Sequence, residues 1–150
     1  MNTDRIVKHI ELKAPASRVW RALTNHIEFG QWFGVKLETP FILGKSTAGV
    51  ITIPGHEKLQ WKATVQKMEP ETLFAYTWHP YAVDPDADYS KETPTLVEFR
   101  LKAIPAGTLL TVTESGFDKI PAARKAEAFR MHEKGWAAQL TSIEEHVATA

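Results

Sequence analysis

The spacing of apolar residues changes period twice along this chain, and the changes divide it into three blocks. From Ile6 to Leu12 the period is two, with Ile6, Ile10 and Leu12 on one side and Val7, His9 and Glu11 on the other, which predicts a first β-strand. A short helix is expected to open at Pro15, because proline's missing N–H has no partner at the first helical position, with Ala14, a poor cap, before it. Val19, Trp20, Leu23 and Ile27 then fall at helical spacing. Asn25 and Glu28 have the form of a capping box, which starts a second short helix through Trp32.

Between Lys36 and Ser115 the period returns to two, and Gly44, Pro54-Gly55, Glu69-Pro70-Glu71 and Ala106-Gly107 divide the block into strands. Leu59, Trp61, Ala63 and Val65 form one inward lane, and Phe74, Tyr76 and Trp78 a second. Val97, Phe99 and Leu101 form a third, and Leu110, Val112 and Glu114 a fourth, opposite Leu109, Thr111 and Thr113. The carboxylate at the end of an apolar lane is the anomaly. Pro80 to Pro94, with Asp84, Asp86 and Asp88, reads as a long acidic connection, either solvated or acting as a lid.

The last block, Pro121 to about Val147, has helical period and would extend about 40 Å. Ala122, Ala126, Trp136, Leu140, Ile143 and Val147 lie within roughly 60° of Phe129 around its axis, and His132 and Glu133 fall on the two margins. Gly135 stands inside this helix at a cost of about 1 kcal/mol relative to alanine, so close approach by the sheet or by a bound molecule is expected there. Together the blocks predict an α+β domain spanning residues 1–150: a curved antiparallel sheet closed by one long C-terminal helix, an arrangement that tends to leave a cavity.

Charge and composition remove several classes of function. Eighteen basic and eighteen acidic residues cancel and form no basic stripe, which argues against nucleic acid as a partner. With no cysteine there is no thiolate nucleophile or thiolate metal site, and a reducing compartment fits. Met1 to Leu12 carries Asp4, Arg5, Lys8 and Glu11 and so reads neither as a signal peptide nor as a membrane span, which leads us to expect a cytoplasmic protein. The six histidines show no ligand spacing, and no nucleophile elbow, dinucleotide turn or phosphate loop occurs. Neither a metal nor a cofactor is therefore expected.

The order and spacing of several segments carry a resemblance. Ala14-Pro-Ala-Ser-Arg-Val-Trp-Arg-Ala-Leu-Thr-Asn25, Gln31-Trp-Phe-Gly34, Glu69-Pro70 with Tyr76 and Trp78, Thr113-Glu-Ser-Gly-Phe117 and Gly135-Trp136 together resemble the Hsp-90 ATPase activator homologue family. That family lies within the START-like, or SRPBCC, group. The resemblance implies a helix-grip fold, with two short helices after the first strand. It also implies a cavity lined by inward sheet residues and the inner face of the last helix: Trp61, Trp78, Phe99, Glu114, Phe129, His132 and Trp136. It fixes no activity, because the group contains carriers, enzymes and chaperone regulators. The eukaryotic activators also carry a separate N-terminal domain that makes part of their chaperone contact, for which these 150 residues have no room.

Three functions follow as expectations. The leading one is binding of a small hydrophobic or aromatic molecule in the cavity, with Glu114 and His132 orienting its polar end, by a protein that is a monomer or a homodimer. The second is an enzyme of cyclase, dehydratase or hydrolase type using Glu114 as acid or base, and the third a chaperone ATPase regulator. Glu114 either pairs with a cation or reaches water, or else it serves polar recognition or proton transfer, because an unpaired buried carboxylate costs several kcal/mol. His79 and Tyr81 would border the cavity entrance, or else His79 is simply exposed beside the long loop, and Trp32-Phe33-Gly34 would either turn inward or dock a partner.

Overall fold

Helix α1 (Ala16–Thr24) and helix α2 (His26–Phe33) meet at one residue, Asn25, which ends the first and starts the second. Its backbone N–H donates to the Arg21 carbonyl at 2.9 Å, and its side chain accepts from the N–H groups of Ile27 and Glu28 at 3.0 and 3.1 Å. The expected capping box is therefore half formed. The Asn25 N–H is already spent on α1, so the Glu28 carboxylate turns instead to Arg18 and Arg21, each at 2.7 Å, and to His146 at 2.9 Å. The same break between helices exposes Ile27, which helical spacing alone would have buried with Val19 and Leu23. Pro15 stands one position earlier than expected: it is the N-cap, its carbonyl accepting from Val19 at 3.1 Å.

The computed structural model describes residues 4–55, 57, 59–79 and 92–148, so the acidic stretch at 80–91 and Tyr81 lie outside the described residues. Among the described residues seven strands follow one another as β1 (Arg5–Leu12), β2 (Val35–Leu37), β3 (Ser46–Ile51), β4 (Gln60–Glu69), β5 (Leu73–Trp78), β6 (Thr95–Ile104) and β7 (Gly107–Ser115). They form one antiparallel sheet in the order β1-β7-β6-β5-β4-β3-β2. A helix-grip arrangement results, in which the sheet wraps α3 (Ala122–Ala148) and the two short helices follow the first strand.

Register places the expected lanes side by side. Glu114 lies opposite Val97, Val97 opposite Tyr76, and Tyr76 opposite Val65, so one inward row crosses four strands. A bulge between Val65 and Lys67 shifts the β4 register beyond that row. Above the sheet Phe29 is the hub of the aromatic core, 4.9 Å from the rings of Trp32 and Phe33 and 5.2 Å from Phe41. Trp32 and Phe33 thus turn inward, and Trp32 Nε1 donates to the Ala22 carbonyl at 2.8 Å.

Helix α3 buries Ala128, Trp136, Leu140, Ile143 and Val147. Ala122 and Ala126, expected in the same stripe, are exposed. Alanine offers too little apolar area to draw the first turns onto the core, and Phe129 finds a partner instead in Phe117, 5.2 Å away in the short 3-10 turn Phe117–Lys119. No helix among the described residues is long and apolar enough to cross a membrane.

Asn25 satisfies two donors of α2 at once, so Asn25→Ala should lower unfolding free energy by about 1 kcal/mol. The urea midpoint measures this, with Asn25→Asp as the variant that retains the cap.

Candidate functional site

An apolar groove opens where α3 passes the end of α2 and the end of β5. Its walls are Phe33, Trp78, Met131, His132, Gly135, Trp136 and Gln139, and its volume is about 180 Å³. Each element contributes for a local reason. Gly34 caps α2 in the left-handed conformation, φ 92°, which stops the helix immediately after Phe33. Gln139 Nε2 donates to the Phe33 carbonyl at 2.9 Å and fixes the α2–α3 spacing. Trp78 ends β5, and the three-to-four residue step of α3 aligns Met131, Gly135 and Gln139 along the groove.

Of the two approaches expected at Gly135, by the sheet or by a bound molecule, the first does not occur. The residue is exposed, and a Cβ built there would meet nothing within 4 Å, so the sheet makes no close approach to it. Its absent side chain leaves the groove open above Trp136.

Beneath the groove wall stands Glu114, with no exposed surface. Four donors converge on its two oxygens. Oε1 accepts from Trp136 Nε1 at 2.8 Å and His132 Nδ1 at 2.6 Å, and Oε2 from Trp78 Nε1 at 2.8 Å and Thr95 Oγ1 at 2.5 Å. Burial pushes the Glu114 carboxyl upward, but hydrogen bonding and charge from His132, with the Thr95 and Trp136 bonds, outweigh it and hold the group below the usual carboxylate range. An ionised carboxylate only accepts, so Nδ1 of His132 carries the proton in that bond.

Three of the expected cavity residues, Trp78, His132 and Trp136, stand on the groove wall. Trp61 and Phe99 lie behind it in the core, Glu114 lies beneath it, and Phe129 packs on Phe117. The Glu114 oxygens are enclosed by their donors, one of which, His132, stands on the groove wall. Phe33, Met131 and Gln139 were not expected. Phe33 was legible as an inward aromatic of α2, whereas Met131 and Gln139 sit outside the apolar stripe and became visible only through their spacing from Gly135. His79, expected at an entrance, bonds the Glu92 carbonyl through Nε2 at 2.9 Å.

Among the described residues of the aromatic core, Tyr76 Oη and Trp61 Nε1 are buried donors with no hydrogen-bond partner. Each such group costs about 1–3 kcal/mol. Among the described residues no group of three or more His, Asp or Glu side chains is placed to hold a metal ion.

The family profile described as activator of Hsp90 ATPase homolog 1-like protein matches residues 13–148. The chain belongs to that family. No protein with a curated description matches this chain of the Hsp90 ATPase activator homologue family. Among solved structures, protein MLL2253 of Mesorhizobium loti is similar at a TM-score of 0.77 and 23% identity, covering 97% of this chain and 98% of that one. A protein from Arthrobacter aurescens reaches a TM-score of 0.81 at 16% identity over 100% of this chain and 90% of its own. The Aha1 dimer from Colwellia psychrerythraea matches at 0.70 and 17% identity over 95% of both chains. At these identities the structures establish the shared helix-grip fold.

Glu114→Gln replaces an acceptor-only group by one that presents an N–H₂ to two of the four donors, and should cost about 3 kcal/mol. Because the folded Glu114 carboxyl lies below the usual carboxylate range, its ionised form adds stability that is complete above that range and is lost as pH falls through the lowered folded value. Glu28 acts in the same direction: burial raises it, but the His146 and Arg18 hydrogen bonds and the charges of Arg18 and Arg21 carry it lower. Urea midpoints measured between pH 3 and pH 7 should therefore fall with acid in the wild type and fall less steeply in Glu114→Gln.

Proposed function

We propose that this protein binds a small apolar or aromatic molecule in the groove between α3, the end of α2 and the end of β5. The observation that carries the reading is the opening at Gly135 over a wall of Phe33, Trp78 and Trp136. Apolar cavities of about 150 Å³ accept a benzene ring, so a groove of about 180 Å³ suits a one- or two-ring molecule. Aromatic walls give such a ligand edge-to-face contacts, as Phe33 already makes with Trp78 at 6.0 Å and with Trp136 at 6.2 Å. His132, held by Glu114, supplies the polar side of the groove and orients the ligand. An acid–base role would belong to His132 for the same reason, with Glu114 as its positioning residue.

The space at Gly135 supplies the test. A leucine there has room, and in a helix it is more favourable than glycine by nearly 1 kcal/mol, so Gly135→Leu should fold with a higher urea midpoint while its side chain fills the groove. Indane, titrated against backbone amide signals of Gly135 and Gln139 in the wild type, should bind at least about tenfold more weakly to Gly135→Leu. An unchanged affinity overturns the groove as the binding site.

A second reading rests on the family match: contact with a chaperone of the Hsp90 type. Exposed Ile27, Ile42, Leu43 and Ile53 supply apolar surface outside the groove for such a contact. It predicts that saturating protein raises the ATPase rate of purified Hsp90, and that Gly135→Leu does so equally. No change in rate removes it.

A further inference from the structure

Two donors that groove binding leaves unused specify the chemistry of the molecule bound, an inference that rests on the groove reading above. Tyr76 on β5 and Trp61 on β4 have neighbouring rings, with centroids 5.6 Å apart. Tyr76 has no exposed surface and Trp61 is 4% exposed, yet neither Tyr76 Oη nor Trp61 Nε1 meets an acceptor. Buried polar groups in native proteins are nearly always paired, so two unpartnered donors on neighbouring rings each call for an acceptor.

One layer of rings separates them from the groove. Trp78 lines the groove and stands 5.5 Å from Tyr76 and 5.9 Å from Trp61, and Phe33 lines it 5.9 Å from Trp61. The two rings of this layer are not held alike. Trp78 is tied through Nε1 to Glu114, whereas the Phe33 ring has no polar atom and is held by packing alone. The way inward therefore runs past Phe33.

The donors also discriminate among acceptors. An indole N–H only donates, and a carbonyl oxygen offers two lone pairs, enough for both groups at once. A water molecule would accept from both but bring two protons of its own into a setting of aromatic rings, Phe29 and Trp78 among them. A carboxylate would add a second negative charge near Glu114, whose charge already acts on Tyr76. Burial first and that charge second push the Tyr76 phenol well above its ordinary range, so it remains a neutral donor.

We propose that the bound molecule is a flat aromatic carrying an uncharged carbonyl oxygen, which passes the Phe33 ring and accepts hydrogen bonds from Tyr76 Oη and Trp61 Nε1. The groove is then the outer half of the site and these two donors its inner end.

Three probes of one shape test this: 1-indanone, indane and indane-1-carboxylate, titrated by NMR up to millimolar concentration into the wild type, Tyr76→Phe and Trp61→Phe. The wild type should prefer 1-indanone to indane by at least about tenfold and should bind the carboxylate no more tightly than indane. Tyr76→Phe should bring the two neutral probes close to parity without changing the affinity for indane, and Trp61→Phe should reduce the preference in the same direction. Without ligand, Tyr76→Phe should raise the urea midpoint, because it removes an unsatisfied hydroxyl. Equal binding of 1-indanone and indane by the wild type, a preference that survives Tyr76→Phe, or tighter binding of the carboxylate overturns the inner site and leaves the groove reading standing. A lower midpoint for ligand-free Tyr76→Phe shows the hydroxyl to be satisfied already and likewise overturns it. Absence of binding by all three probes overturns both.

Discussion

A carboxylate with no access to water holds this fold's two layers together. Removing Glu114 from solvent costs several kcal/mol, and the cost is met only because β5, β6 and α3 each deliver donors to its two oxygens. A strand residue therefore fixes both the rotation and the height of a 27-residue helix, which apolar packing alone would leave free to slide. Hydrophobic burial is non-directional, and four hydrogen bonds to one group are not. Every wall residue that α3 presents to the groove takes its position from that attachment.

The second attachment lies near the C-terminal end of the same helix. Glu28 binds Arg18 and Arg21 of α1 and His146 of α3, so the two short helices and the long one share one anion. Between these anchors Gln139 reaches the Phe33 carbonyl. The groove is thus bounded by fixed backbone on both sides, and its adjustable parts are side chains, Phe33 and Met131 above all. Such a site changes shape by rotamer exchange more readily than by movement of whole elements.

The sheet and the long helix were legible because their apolar periods differ and each persists over many residues. Alternation placed Trp61, Tyr76, Phe99 and Val112 on the inward face, and the helical step placed Trp136, Leu140, Ile143 and Val147 against them. Short-range competition was harder to read. Asn25 serves two helices, which diverts Glu28 and exposes Ile27, and nothing in a single helical pattern signals that sharing. The site was visible in part for a related reason. Glu114 stood out as a misplaced charge, but its partners come from three other segments, and no local pattern reveals which lane a carboxylate will face across a sheet. The groove-lining Met131 and Gln139 lie off the apolar stripe, so hydrophobicity passed over them.

The donors on Glu114 include the pyrrole nitrogens of two of the chain's five tryptophans, Trp78 and Trp136. Indole excitation moves electron density away from that nitrogen, so the energy of the emitted light depends on the charge beside it. These two rings consequently act as an intrinsic optical gauge of a proton that no solvent molecule can reach directly, and protonation at the centre of the molecule becomes readable as a shift to shorter wavelength.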